Sequence, residues 1–147
     1  LVDNHIHQYH QADISIVTAV EGGLSTPVIR NANNKRLEDI AVEVQSLATR
    51  AAAGELKMDE IMGGSFSISN LGMYGVDQFD AIINPPQCAI LAIGAAKPQA
   101  VVKDGVITTA TVMNATLSLD HRAIDGALGA EFLGHLRDQL QRPETLL

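Results

Sequence analysis

Residues 88–93 read CAILAI, a nearly continuous apolar run, and this run carries the strongest signal for the fold. The pair Pro85-Pro86 shortly before it forbids a regular helix or strand ladder across that point. A strand that exposed one face to water would alternate polar and apolar side chains. The run therefore predicts a strand that is covered on both faces.

Three further stretches predict strands. Asp13–Val20 is rich in β-branched residues and ends at the turn sequence Glu21-Gly22-Gly23, after which residues 26–29 are expected to be extended. Residues 65–70 alternate like a half-buried strand, with Phe66 and Ile68 on one face and three serines, Ser65, Ser67 and Ser69, on the other. The dipeptide Asp104-Gly105 predicts a hairpin turn, and the following residues 106–119 predict one long strand.

Helical periodicity appears twice. From Leu37 the apolar residues recur at the spacing of one helix face as far as Ala51, with Asn33 or Asn34 as the expected N-cap and Gly54 at the expected end. The same spacing returns after Gly126, and Pro143 ends that second helix. No repeat or low-complexity linker interrupts the pattern, so we expect a single domain.

Composition excludes several classes of protein. The 147 residues carry a net charge of −7, only 3% are aromatic and none is Trp, which excludes a nucleic-acid-binding protein. Apolar residues make up 46%, too many for a disordered chain, yet no apolar run reaches the roughly 18 residues of a membrane span. The only cysteine, Cys88, forms no internal disulfide, which suits a reducing compartment. Because the sequence starts at Leu1 rather than Met, we expect a fragment or a processed piece of a longer chain.

Two groups of residues are candidates for chemistry. His5, His7 and His10 are three imidazoles within six residues, but no fourth ligand lies near them and their spacing matches no standard zinc pattern, so no metal site is expected. The second group is residues 120–126, DHRAIDG, which crowd ionisable side chains between a predicted strand and a predicted helix.

Within the second group, His121 is the candidate base. Asp125 lies four residues later, close enough for a tight turn to bring it near the imidazole or to let it anchor Arg122. Ser69, on the serine face of its strand, is a possible partner as a nucleophile or as a donor to an oxyanion. Residue types alone do not choose between these two roles, and a charged group after a strand is often only a solvated corner.

Three segments in unbroken order give the sequence a family resemblance. They are residues 63–72 (GGSFSISNLG), residues 82–91 (IINPPQCAIL) and residues 120–126 (DHRAIDG). Together they resemble the catalytic domain of the dihydrolipoamide acyltransferases of 2-oxoacid dehydrogenase complexes. The sequences of the first and third segments are most similar to those of the acetyl-transferring, pyruvate dehydrogenase branch. One departure is Glu21-Gly22-Gly23-Leu24, where many relatives have a proline before Gly-Leu, and it concerns a turn only.

The resemblance implies a chloramphenicol acetyltransferase-like α/β fold, with a mixed sheet and packed helices, and a specific chemistry. An acetyl group would move between the thiols of dihydrolipoamide and coenzyme A, with His121 as general base. Ser69 would stabilise the tetrahedral intermediate, and Asp125 would close the histidine motif. Coenzyme A is then a substrate, lipoamide arrives on a separate domain, and neither a metal nor a covalent enzyme intermediate is required.

The resemblance also implies an assembly. Residues 1–147 would be the C-terminal part of the catalytic domain, without its N-terminal part and without lipoyl and subunit-binding domains. A homotrimer with active sites between subunits is expected, within a larger core that binds 2-oxoacid dehydrogenase and dihydrolipoamide dehydrogenase subunits, in bacterial cytoplasm or the mitochondrial matrix.

Three alternatives stay open at this point. The chain could belong to a succinyl- or branched-chain acyl-transferring relative, or to a non-catalytic structural core subunit, although a purely structural subunit could dispense with His121. The third alternative is a free-standing small-molecule acetyltransferase, but the segment Asn84-Pro85-Pro86 favours the complex-bound family.

Overall fold

The apolar run forms strand β5 (Ala89–Ile93), an inner strand of a mixed six-stranded sheet, and its first four residues are buried. The computed structural model describes residues 5–146. On one side β5 pairs in parallel with β4 (Phe66–Asn70), and on the other it pairs antiparallel with β8 (Ala115–Leu119). The prediction of a strand covered on both faces is confirmed.

The sheet continues beyond β4 into β1 (Ile14–Val20), which is parallel to β4. Two short strands, β2 (Gly23–Ser25) and β3 (Val28–Ile29), pair antiparallel with β1 and complete the sheet. β1 and β3 lie within the strand and the extended segment that the sequence predicts, whereas β2 was not predicted, because Gly23 was assigned to the turn.

Within residues 5–146 three helices accompany the sheet: α1 (Leu37–Ala52), the single turn α2 (Met58–Ile61) and α3 (Gly126–Gln141). α1 packs on β1 and β3 and buries Leu47 and Ala51. α3 packs on β8 and reaches β4, where the rings of Phe132 and Phe66 lie 5.7 Å apart. Short 3-10 turns occupy Ala32–Asn34, Gly72–Tyr74 and Pro143–Leu146.

The start of α1 differs from the prediction. Its N-cap is Arg36, which makes no side-chain capping bond, whereas Asn33 and Asn34 lie in the preceding 3-10 turn. Asn33 is occupied elsewhere, since its side-chain oxygen accepts a hydrogen bond from the backbone N–H of Ala12 at 2.9 Å. The end of the helix is as predicted, because Gly54 follows the last turn with a φ of +70° that favours glycine.

The predicted long strand over residues 106–119 is wrong, because it is two strands in two sheets. β7 (Val106–Val112) pairs with β6 (Lys97–Lys103) in a separate hairpin, which turns at Asp104-Gly105 as predicted. The chain then crosses at Met113-Asn114 to join β5 as β8, and the Asn114 carbonyl accepts a hydrogen bond from Gly94 N–H. The apolar positions change phase at this crossing, from Ala110 and Val112 to Met113, Ala115 and Leu117, so the sequence carries a sign of the break that the prediction of one strand overlooked.

The prediction that β4 is half-buried is also corrected. Ser67 is fully buried and Ser69 is only 9% exposed, so the serine face is covered even more completely than the face of Phe66 and Ile68. Serine is small enough to sit under a close-packed layer, provided that its hydroxyl finds a partner there.

No helix within residues 5–146 is long and apolar enough to cross a membrane.

Candidate functional site

Ser69 sits near the end of β4, between its cross-strand neighbours Val17 of β1 and Ala92 of β5. The strand ends one residue later, where the side-chain oxygen of Asn70 accepts a hydrogen bond from Gly72 N–H at 2.8 Å and turns the chain. Ser69 is therefore held by strands on both sides immediately before a tight bend, which fixes the position of its hydroxyl-bearing carbon.

Two glycines allow the bend after Ser69 to lie close against the next strand connection. A Cβ on Gly72 would come within 2.7 Å of the Gly94 carbonyl oxygen, and a Cβ on Gly94 would come within 2.1 Å of the Asp77 carbonyl oxygen. Lys97 secures the same loop, because its ammonium contacts the Asp77 carboxylate at 2.5 Å and donates to the Gly75 carbonyl at 3.1 Å. These glycines are close-packing residues, and they place the serine end of β4 against the start of β6.

The segment 120–126 continues directly from β8. The N–H of Asp120 donates to the Cys88 carbonyl at 2.8 Å, which extends the pairing of β8 with the chain just before β5. The Asp120 carbonyl then accepts from the N–H groups of Ala123 and Ile124, at 2.9 and 3.0 Å, and closes a turn around His121.

An ion pair braces this turn. The Arg122 guanidinium donates to both carboxylate oxygens of Asp120, with Nη2 at 2.7 Å and Nε at 2.9 and 3.2 Å. These bonds, with a further one from the Arg122 backbone N–H, lower the pKa of Asp120 to about 2. Asp120 is therefore charged at any physiological pH, and it holds its neighbour His121 in a fixed turn.

His121 itself is exposed, beside a surface depression lined also by Leu119, Pro85 and Pro86. Asp125 is the N-cap of α3, and its carboxylate accepts a hydrogen bond from Leu128 N–H at 2.9 Å. The partner of Arg122 is Asp120, so the expectation that Asp125 anchors Arg122 is not met. A carboxylate at an N-cap already satisfies a helix N–H, and it also lies favourably at the positive end of the helix dipole.

The chain does not bring Ser69 and His121 together. Ser69 pairs with Ala92 of β5, whereas Leu119 pairs with Ala89, three residues back along β5. Leu119 therefore lies three residues, or roughly 10 Å, from Ser69 along the strands and two strands, again roughly 10 Å, across the sheet. The two displacements are perpendicular, so together they separate Leu119 from Ser69 by about 14 Å. His121 lies farther away still, since the chain continues from Leu119 away from Ser69.

Sequence reasoning missed a buried polar network beside β4. The side chain of Gln87 accepts a hydrogen bond from the Ser67 hydroxyl and donates one, at 3.0 Å, to the Ser15 hydroxyl. All three residues are at most 9% exposed. The available signal was the row of serines in β4, because a covered serine face needs a polar partner.

The histidines near the N-terminus form no metal site in the part of the chain that the structure describes. His5, His7 and His10 are exposed, and residues 5–146 contain no group of three or more His, Cys, Asp and Glu side chains that could hold a metal ion.

Comparison with known proteins shows which family this chain resembles. The model of the 2-oxoacid dehydrogenases acyltransferase catalytic domain matches residues 2–147. The dihydrolipoyllysine-residue acetyltransferase component of the pyruvate dehydrogenase complex from Rickettsia bellii is 46% identical over 145 residues, which are 99% of this chain and 35% of that protein. The corresponding protein of Zymomonas mobilis is 47% identical over 140 residues, which are 95% of this chain and 32% of that protein.

Solved structures of acetyltransferases have the same fold as this chain. The dihydrolipoamide acetyltransferase of Azotobacter vinelandii superposes with a TM-score of 0.91 at 34% identity, covering 95% of this chain and 57% of that one, and its study concerns the catalytic roles of a serine, a histidine and an asparagine. A probable dihydrolipoamide acetyltransferase from Listeria monocytogenes gives a TM-score of 0.93 at 34% identity, with 97% and 61% coverage. The predicted α/β fold, mixed and chloramphenicol acetyltransferase-like, is confirmed. The chain spans about a third of the length of these curated relatives and about three fifths of the solved chains.

Proposed function

The chain belongs to the family of 2-oxoacid dehydrogenase acyltransferase catalytic domains, and from this we propose that it transfers an acetyl group between dihydrolipoamide and coenzyme A. One observation carries the proposal. The serine and histidine studied in the Azotobacter vinelandii enzyme are 52 residues apart, and the asparagine follows the histidine by four. Ser69, His121 and Asp125 have the same two spacings in this chain, with Asp in place of Asn at the third position.

In this proposal His121 is the general base. Both substrates are thiols with a pKa near 8.5 and a free imidazole has a pKa near 6.5, so complete proton transfer before attack costs roughly 2.7 kcal/mol. Proton removal therefore accompanies the attack of sulfur on the thioester carbon. The exposed position of His121 on a braced turn suits this role, because the imidazole can meet a substrate that arrives from outside the chain.

Ser69 donates its hydroxyl hydrogen to the oxyanion of the tetrahedral intermediate. It sits at the end of a strand paired on both sides, and such a preorganised donor stabilises developing charge without having to reorient. The intermediate then collapses, the thiol of the other substrate leaves with the proton from His121, and thioester is exchanged for thioester. Asp125 acts in this scheme through the helix that it caps, which holds the end of the histidine turn.

We further propose that the active site forms between subunits. Ser69 and His121 lie at opposite ends of the sheet, so one chain supplies the serine and its neighbour supplies the histidine, as in a homotrimer closed head to tail. One solved relative is the cubic core of the pyruvate dehydrogenase multienzyme complex, with a TM-score of 0.90, which supports a core of several trimers here.

The proposal extends to the domain organisation and to the two substrates. We propose that residues 1–147 are the C-terminal part of the catalytic domain, that lipoamide comes on a separate lipoyl domain and that coenzyme A is the second substrate. The matching relatives are bacterial and mitochondrial components of pyruvate dehydrogenase complexes. This supports 2-oxoacid dehydrogenase and dihydrolipoamide dehydrogenase subunits as partners, in the bacterial cytoplasm or the mitochondrial matrix.

The test is an acyl-transfer assay on the intact protein with acetyl-, succinyl- and isobutyryl-dihydrolipoamide and coenzyme A. We expect acetyl transfer to have the highest kcat/KM. A higher kcat/KM for another acyl group would assign the chain to a different branch, and transfer of none of them would leave it a structural core subunit.

A further inference from the structure

We propose that Gln87 is a positioning residue that fixes the serine end of β4 and the histidine turn relative to each other. This inference rests on the proposed function. The Gln87 side chain is hydrogen-bonded to Ser67 in β4, the strand that carries Ser69. The next residue, Cys88, is hydrogen-bonded through its carbonyl to Asp120, which precedes His121. Gln87 thus connects the surroundings of Ser69 and His121, which are more than about 14 Å apart.

On the serine side, the Gln87 side chain is hydrogen-bonded to β4 and to β1. It accepts from Ser67, which lies two residues before Ser69 on the same face of β4, and it donates to Ser15 of β1. The space is filled, because a Cβ on Gly64 would lie 2.0 Å from the Ser15 hydroxyl oxygen and 2.9 Å from Gln87 Nε2. Gln87 therefore has little freedom to move without moving β4.

On the histidine side, the link is through the main chain. The carbonyl of the next residue, Cys88, accepts a hydrogen bond from the N–H of Asp120 at 2.8 Å. The Asp120 carboxylate in turn forms an ion pair with Arg122, on the other side of His121 in the sequence. Gln87 also borders the surface depression beside His121. A shift of the Gln87 backbone is thus transmitted to the His121 turn through one hydrogen bond and one ion pair.

This arrangement matters for a site shared between subunits. Each chain gives Ser69 to one site and His121 to another, so the distance between them within a chain sets the fit of both sites. Misplacement by about 1 Å can cost on the order of 10²-fold in rate. A buried amide with both ends bonded is suited to fixing such a distance, since leaving either bond unmade is costly.

The experiment separates positioning from stability by comparing two variants of the intact protein. Gln87→Met keeps the side-chain length but leaves the Ser15 and Ser67 hydroxyls without their partner. The triple variant Ser15→Ala, Ser67→Ala, Gln87→Met removes all the buried polar groups together, which is expected to restore most of the lost thermal stability. Gln99→Met, at an exposed glutamine of β6, is the matched control.

We expect kcat for acetyl transfer to fall at least tenfold in both variants, with KM for coenzyme A within about twofold of the parent and with Gln99→Met unchanged. The triple variant should combine near-parental Tm with low kcat. A triple variant whose kcat returns to within threefold of the parent would overturn the inference, because stability alone would then explain the loss.

If these variants do not assemble, Ser67→Ala carries the test, since it removes one hydroxyl only. A fivefold or larger fall in kcat supports positioning by Gln87, and a kcat within twofold of the parent overturns it. An intact parent with no acyl transfer overturns the proposed function, and this inference falls with it. An active parent with unaffected variants overturns the inference alone.

Discussion

Asp120 and His121 are adjacent in sequence but have opposite environments, and the difference assigns their roles. The Asp120 side chain is 17% exposed and doubly bonded to Arg122, whereas His121 is exposed and faces a depression. The acid is a structural brace that stays charged, with its pKa at about 2. The exposed imidazole fits the role proposed for it, as the base that meets a substrate.

The first prediction concerns His121. Because its side chain is exposed, His121→Ala should fold and assemble like the parent, with an unchanged Tm, while kcat falls by about 10² to 10⁴, the usual contribution of a general base. His135→Ala is the control, since this second exposed histidine lies on α3 and should be replaceable with activity within twofold. A His121→Ala protein with activity within threefold of the parent would contradict the assignment.

Ser69 gives a prediction of a different kind, because an oxyanion donor acts mainly in the transition state. Ser69→Ala should lower kcat by about 10² to 10³ and leave KM for coenzyme A nearly unchanged. Ser46→Ala, at an exposed position of α1, serves as control. If the loss appeared chiefly as a higher KM, Ser69 would be a substrate contact rather than an oxyanion donor.

At the scale of elements, the loop after β4 is held by close approach of main chain to main chain. Gly94→Ala would place its Cβ 2.1 Å from the Asp77 carbonyl oxygen, an atom that cannot move without moving the loop. We expect a loss of about 1 to 3 kcal/mol in the free energy of unfolding, measured by urea denaturation, together with reduced activity. Gly134→Ala is the matched control: nothing lies within 4 Å of that Cβ in α3, so it should stabilise by roughly 0.5 to 1 kcal/mol. Equal effects of the two substitutions would contradict the close packing.

A second element-scale prediction concerns the link between α1 and α2. Arg50 donates to both carboxylate oxygens of Glu60, at 2.8 and 2.6 Å, and with the Lys57 N–H this lowers the pKa of Glu60 from 4.5 to about 2. The folded chain thus binds this proton less readily than the unfolded chain, so the stabilisation is present above about pH 4.5 and is lost as the pH falls to about 2.

Glu60→Gln should therefore be less stable than the parent at pH 7, and the two free energies of unfolding should converge as the pH falls from about 4.5 towards 2. Denaturant titrations at several pH values measure this, with Glu55→Gln at an exposed position as control. A difference between Glu60→Gln and the parent that stays constant down to pH 2 would contradict the ion pair.

Sequence periodicity predicted the helices and strands that are marked by a local pattern. It failed where contacts between residues distant in sequence determine which strands pair. β5 and the ends of α1 and α3 at Gly54 and Pro143 follow from composition and from residues that stop a helix. The division of residues 106–119 into two strands is marked locally only by the change of phase at Val112-Met113, and the sheet that each half joins is set by distant contacts such as the bond between Gly94 and Asn114.

The site divides in the same way. Ser69, His121 and Asp125 are candidates that the sequence supplies, and their roles stay predictions. Neither the burial of the serine face nor the network of Gln87 could be predicted, because 72 residues separate Gln87 from Ser15. The partnership of Arg122 with Asp120 rather than Asp125 is a choice between two nearby carboxylates. It was decided by the helix N-cap, which occupies Asp125.

At the scale of the whole molecule, a single chain leaves many large apolar side chains on its surface. Leu24, Ile82, Val102 and Ile107 are each more than 70% exposed. The hairpin of β6 and β7 is exposed along most of both strands. Surfaces of this kind are covered in proteins that assemble, which agrees with the proposed trimer.

The proposed shared site makes a prediction that no single chain can test. His121→Ala and Ser69→Ala proteins are unfolded, mixed in equal amounts and refolded, so that trimers contain both. If each site takes Ser69 from one subunit and His121 from the next, about a quarter of the sites in random mixtures contain both intact residues and another quarter contain neither. Acetyl transfer in the mixture should then approach about a quarter of the parental rate, far above either protein refolded alone.

Mass spectrometry has to show that mixed trimers form, and each variant refolded alone gives the baseline. Mixed trimers no more active than that baseline would mean that Ser69 and His121 of one chain act on the same substrate. The separation of more than about 14 Å across the sheet argues against this, since a base and an oxyanion donor serving one tetrahedral carbon must each lie within hydrogen-bond reach of the reacting atoms. Recovery on mixing would instead explain why the fold places its two reactive side chains at opposite ends of one sheet: a ring of identical subunits brings the serine end of each chain to the histidine end of the next.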